Sequence, residues 1–205
     1  MSGSAIKNLT RQVFRDRQKA ISAQDTLAPE DRASHPSLLD IVNWPQKWQD
    51  RIVGAKYIAC YMPLSDELSL EVLRTDRLSH VRICFPKMEG DEIRFYKASG
   101  DSAFTEGRYG VREPKNSENE VAPKEISVML VPATAYGADG TRLGRGKGFY
   151  DRYFARAVKE GFSGFLIGVV PERNLLGSVP ADPWDLKVDA ICTEKRFLEI
   201  RDQEV

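Results

Sequence analysis

Ten residues, 142–151 (RLGRGKGFYD), hold the chain's densest concentration of reactive chemistry. Glycines at 144, 146 and 148 alternate with Arg145 and Lys147, and Arg142 stands just before them. Without Cβ atoms, backbone N–H groups can approach an anion closely. Three fixed positive charges lie within reach. A helix predicted to start near Phe149 aims its positive end at the same place. This is chemistry for holding an anion, most simply a polyphosphate. A Walker loop needs Ser or Thr after its Gly-Lys, but Gly148 follows Lys147. A dinucleotide fingerprint reads G-x-G-x-x-G close behind its strand, whereas this loop reads G-x-G-x-G after a long approach. On glycine spacing alone, a flexible surface turn remains the alternative.

The elements that must position the loop are written on either side of it. Residues 126–132 (ISVMLVP) read as a buried strand stopped by proline, and residues 149–159 as a helix ended by Gly161. Residues 165–170 (FLIGVV) form a second continuous apolar strand, and 190–193 a short last one. Upstream, residues 57–63 and 81–86 read as strands, with a helix over 69–78 between them. Residues 92–97 pair back on the second strand across the turn-forming residues 89–91. Residues 98–124 are polar and expected to be mostly loop. Near the start, 7–22 predicts a helix with Ile6, Leu9, Val13 and Ala20 at helical spacing and Ser4 as its cap. A second helical region over 29–50 must break or kink at Pro36 and Pro45. Strand–helix alternation with continuous apolar strands predicts an α/β fold, mainly a parallel sheet with helices on both faces and one antiparallel hairpin. One domain is expected over 1–205, with a helical N-terminal part (1–50) and an α/β core (51–200).

Composition narrows the function classes. Hydrophobic residues make up 41% of the 205 and charged residues 29%, an ordinary globular balance. Thirty basic residues cancel thirty acidic ones, so bulk attraction to nucleic acid or to an anionic membrane is not expected. No apolar run approaches a membrane span. The N-terminus turns charged too early for a secretory signal, and its basic, partly amphipathic character leaves organelle targeting open beside the expected cytoplasmic location. Cys60, Cys84 and Cys192 each sit in an apolar run with no CxxC spacing, which predicts core thiols. His35 and His80 show no metal spacing. Trp44, Trp48 and Trp184 are expected to be core.

The extended string P-x-x-A-Y-x-x-x-G-x-R-L-G-x-G-x-G-F-Y-D resembles the core motif of the 5-formyltetrahydrofolate cyclo-ligases. Other blocks fall in the same order: Lys7 and Arg11 as K-x-x-x-R, YMPLSDEL, FPK, REP, and PWDLKVDAICTE over 183–194. The resemblance implies a Rossmann-like α/β fold and an Mg-ATP-dependent cyclisation of 5-formyltetrahydrofolate to 5,10-methenyltetrahydrofolate, with release of ADP and phosphate. It implies ATP contacts at Lys7, Arg11, Arg142, Leu143, Gly144, Arg145, Gly146, Lys147, Gly148, Phe149 and Tyr150. Folate contacts fall on Met62, Glu67, Arg145, Lys147, Gly148 and Phe149, and magnesium ligands on Asp151 and Asp185. Asp182 and Asp189 are near enough to compete for Asp185's role, and Met62 could equally be core packing. Phe149 stands where the family often has Tyr, so any hydrogen bond from that hydroxyl is lost here. The implied partners are small molecules, and a monomer is expected. Two other classes stay open: a binding module that keeps the loop without turnover, and an isomerase or acyl-CoA transferase that needs no ATP.

Overall fold

A strand buried on both faces must be apolar throughout, and its alternate residues go to opposite sides of the sheet. The computed structural model describes residues 3–24, 37–38, 40–73, 78–98, 100, 103–107, 110–182 and 185–200. Helix α1 (Gly3–Gln24) leads, followed by α2 (Gln46–Val53) and strand β1 (Tyr57–Ala59). Next come β2 (Arg82–Glu89), β3 (Glu92–Lys97), β4 (Phe104–Glu106) and β5 (Arg112–Pro114). Then follow β6 (Val128–Pro132), β7 (Ala135–Gly137), β8 (Arg142–Leu143) and α3 (Phe149–Ala157). The described chain closes with β9 (Phe165–Val169), β10 (Leu175–Leu176), β11 (Ala190–Cys192) and β12 (Phe197–Glu199).

Seven strands form one sheet in the order β12-β11-β9-β6-β1-β2-β3. The inner pairs are parallel, while β12 and β3 run antiparallel at the two edges. Ile58, Val128, Leu130, Ile167 and Val169 face one side, where α2 adds Trp48 and Ile52. Ala59, Met129, Val131 and Leu166 face the other, where α3 adds Tyr153, Phe154 and Ala157. Helices thus cover both faces of an α/β sheet, as the sequence predicts. Trp44 and Trp48 are core, and all three cysteines are free and buried. Burial raises the Cys60 and Cys84 pKa values, which keeps those thiols protonated and unreactive.

Several expectations are corrected. Of the helix expected over 69–78, the described residues show a 3₁₀ turn at Glu71–Leu73, and 74–77 lie outside them. The stretch expected to be loop contains β4 and β5, an antiparallel pair too short and polar to show periodicity; it is anchored by Phe104 edge-on to Phe85 at 5.1 Å. The approach to the glycines is also structured, since β7, β8 and β10 form a small sheet. Ser4 lies inside α1 and does not cap it. Ile6, Leu9 and Val13 are 42%, 57% and 57% exposed, so α1 faces the body with Lys7, Arg11 and Phe14 instead. Residues 25–36, including His35, and Trp184 lie outside the described residues.

Tyr136 couples sheet to site, and Gly168 makes room for it. Tyr136 is fully buried, and its hydroxyl donates to the Val131 carbonyl at 2.9 Å. A Cβ on Gly168 would come within 2.6 Å of the ring. Gly168→Ala is therefore expected to destabilise the fold by about 1–3 kcal/mol through overpacking, read as a lower thermal midpoint. An unchanged midpoint would mean that the ring has room to move.

Candidate active site

The chain winds the sheet in two directions. From β1 it proceeds to β2 and β3 on one side, and from β6 to β9, β11 and β12 on the other. The reversal lies between β1 and β6, and ligands of open α/β sheets bind outside the strand ends at such a switch point. A cavity of about 570 Å³ opens there, lined by Tyr61 and Met62 just beyond β1 and by Pro132 and Ala133 at the end of β6.

The glycine loop forms one wall. Gly146 and Gly148 adopt φ of +89° and +68°, a region L side chains rarely enter, and Gly148 directly precedes α3. These turns bring Arg145, Lys147 and the N-terminus of α3 to the cavity together. Arg142 lies beneath: its Nε donates to the Pro132 carbonyl at 3.0 Å, its guanidinium stacks 4.8 Å over the Tyr150 ring, and Asp151 lies 3.7 Å from Nη1. Arg142 is thus a charged floor, held by the strand that precedes it.

Helix α1 forms a second wall. Arg11 donates to the Gly144 carbonyl at 2.9 Å, and Phe14 packs with Ala135, Leu143 and Val179. Lys7 bridges Asp182, at 2.5 Å, and Asp185, whose Oδ2 also accepts the Asp182 N–H at 2.6 Å. Burial alone would lower the Lys7 pKa; the two carboxylates more than offset this and hold it above its ordinary value. Across the cavity Arg145 clasps the 61–68 segment, donating to Asp66 at 2.6 Å and to Glu67 at 3.0 Å. Glu67 also accepts the Leu64 N–H at 3.1 Å. Burial pushes the Glu67 pKa up against the opposing charge of Arg145.

The cavity brings together every residue the sequence singles out for ATP, folate or metal except Leu143. Leu143 is 1% exposed and packs against Phe14 of α1, so its side chain positions the loop. Of the three candidate aspartates, Asp182 and Asp185 line the cavity. Asp189 is buried elsewhere and accepts the Leu166 N–H at 2.8 Å. The Thr-Glu pair ending the last block is architectural: Thr193 donates to Glu172 at 2.8 Å, and Glu194 accepts the Glu172 N–H. Sequence reasoning missed Asp66, the pairing of Lys7 with Asp182, and a wall made by Pro86, Met88, Ile93, Val111 and Glu113. The FPK and REP blocks were its only trace in the sequence.

Comparison with known proteins agrees with this geometry. The family model for the 5-formyltetrahydrofolate cyclo-ligase family matches residues 4–194. The 5-formyltetrahydrofolate cyclo-ligase of Mus musculus is 25% identical over 151 residues, covering 69% of this chain and 74% of that protein. The cyclo-ligase of Haemophilus influenzae is 24% identical over 181 residues, covering 86% and 93%. The NMR structure of Aquifex aeolicus 5,10-methenyltetrahydrofolate synthetase superposes with a TM-score of 0.65 at 26% identity, covering 100% of this chain and 96% of that one. The match runs through both walls of the cavity and the switch point between them: this chain belongs to the 5-formyltetrahydrofolate cyclo-ligase family and is an enzyme of folate metabolism.

Proposed function

We propose that the chain catalyses ATP-driven closure of 5-formyltetrahydrofolate to 5,10-methenyltetrahydrofolate, with release of ADP and phosphate. Family membership implies the use of ATP. The observation that supports the reading is that a glycine loop with Lys147 and Arg145 and an apolar wall of Pro86, Met88 and Ile93 line the same cavity. A polyphosphate fits the first and a reduced heterocycle the second.

The chemistry follows from what a formamide lacks. Its oxygen is a poor leaving group. Transfer of the γ-phosphoryl to that oxygen gives an imidate phosphate; N10 then attacks the formyl carbon, the ring closes and phosphate leaves. The protein has to align two substrates and neutralise charge. In this reading the backbone of residues 142–150, Leu143 included, cradles the phosphates together with Lys147 and Arg11. Lys7 balances the carboxylates beside them. Met62, Glu67, Gly148 and Phe149 line the folate side, and Arg145 ties the two sides together. Asp151 and Asp185 suit magnesium, which takes one or two carboxylates with phosphate oxygens. Both line the cavity, and Asp151 is about half exposed. An ion held there would offset phosphate charge.

The test mixes purified protein with 5-formyltetrahydrofolate and Mg-ATP, following the near-ultraviolet absorbance of the conjugated product and the release of ADP. Product formation that stops without ATP or with EDTA is expected. Product without ATP would sink the phosphorylation step, and folate binding without product would favour a binding module.

A further inference from the structure

Two separate parts of the chain supply the apolar lining of the cavity. Phe149 opens α3 directly behind the glycine loop, whereas Met88 and Ile93 belong to the β2–β3 hairpin. Arg152 joins the two. Its Nε and Nη2 both donate to the Asp91 carbonyl, in the turn between β2 and β3, at 3.0 and 2.8 Å. Its guanidinium lies over the Phe149 ring, 5.1 Å from the centroid. The group also uses space left open by the loop, since a Cβ on Gly148 would stand 2.9 Å from Nη1. Arg152 itself is exposed and stands behind Phe149, outside the cavity lining.

A lone cation–π contact at an exposed site contributes little. Here two donors of one planar guanidinium converge on a single carbonyl while its face covers a ring, an arrangement that lysine cannot reproduce. Phe149 carries no hydroxyl, so packing must place its ring: the core beneath α3 on one part of it and Arg152 on another. A second tie lies one turn further along the helix, where Arg156 donates to Glu92 at 2.7 Å and to the Ile93 carbonyl at 3.1 Å. The Arg156 tie joins helix to hairpin. The Arg152 tie does so too, and it also covers a ring that lines the cavity.

Resting on the cyclo-ligase reading, we infer that Arg152 is a positioning residue of the folate subsite. It fixes the Phe149 ring and its distance from Met88 and Ile93, so that the slot between them keeps the width of a flat heterocycle. A ligand that enters preset walls does not have to order them on binding. Substrate need not touch Arg152, because the effect passes through Phe149.

Arg152→Met keeps much of the stem and removes the fork. The KM for 5-formyltetrahydrofolate is expected to rise roughly 5- to 20-fold, with the KM for Mg-ATP and the circular dichroism unchanged. Where turnover is too slow, the folate Kd from calorimetry gives the same comparison. Arg152→Lys keeps a charge near the ring without the paired bonds and should recover part of the loss. In a Phe149→Ala background the ring is gone, and Arg152→Met should then raise the folate constant no further. General destabilisation would not produce that non-additivity. Arg156→Met cuts the neighbouring tie and should lower the thermal midpoint while the folate constant stays near the wild-type value. Should Arg152→Met fail to fold, Arg152→Lys in the two Phe149 backgrounds decides. If wild type turns over the folate and Arg152→Met leaves its constant unmoved, or raises it equally with and without the Phe149 ring, the inference falls and the function stands. An equal rise in the KM for Mg-ATP would likewise overturn it. An inactive wild type would overturn the cyclo-ligase reading and this inference with it.

Discussion

Lys147→Ala is expected to lower kcat about 10³-fold, the scale of a lost cation at a transferring phosphoryl group, with the fold intact. Lys147 is exposed on the cavity side of a turn set by Gly146 and Gly148, and its side chain is no part of the core. Truncating an exposed side chain away from packing and caps usually shifts stability by less than about 0.5 kcal/mol. Activity and stability should therefore separate. Steady-state kinetics beside circular dichroism and a thermal melt measure both. Turnover at the wild-type rate with an unchanged spectrum would remove Lys147 from the phosphate site, leaving the loop as a structural turn.

Lys7→Met should release the N-terminal helix. The ammonium lies between Asp182 and Asp185, with side chains 8%, 30% and 17% exposed. Removing it leaves two carboxylates facing each other without a counter-ion, and breaking such a partly buried cluster costs about 3 kcal/mol. Methionine preserves much of the stem packing, so the loss is electrostatic. Since Ile6, Leu9 and Val13 face solvent, Arg11 and Phe14 are the main remaining holds among the described side chains of α1. Amide exchange over 3–16 is expected to quicken by about two orders of magnitude, with β6 and β9 unaffected. Equal protection across α1 in variant and wild type would show that the ion cluster does not hold the helix.

The same cluster sets a pH response. The folded Lys7 pKa is raised above 10.5, so its stabilisation is complete below the unfolded value and fades as pH climbs through the folded one. Release of α1 in wild type is thus an alkaline event, and neutral conditions keep the helix docked.

Much of this molecule is legible in one dimension because its causes are local. A strand covered on both faces has to be a continuous apolar run, so 128–132 and 165–169 declare themselves. Alternating glycines before a helix mark a loop whose backbone can approach a ligand closely, since that freedom is settled within a few residues. The ordered blocks of the family add the chemistry. The short strands β4 and β5 escape notice because three residues are too few to carry a period, and they are held by the packing of β5 on β2 and of Phe104 on Phe85.

Partnership is what only the tertiary structure decides. Lys7 and Asp182 lie 175 positions apart, and nothing in their neighbourhoods announces that a lysine on one helix neutralises carboxylates near the other end of the chain. Asp182, Asp185 and Asp189 look interchangeable in sequence, yet two face the cavity and the third caps a backbone N–H in the core. Arg145 reads in sequence as a phosphate or folate contact, and only the fold shows that it also pairs with Asp66 and Glu67. Residue types and local spacing determined what chemistry this chain can do. Which charge meets which depends on long-range packing, because electrostatic energy follows distance and burial in space, not position along the chain.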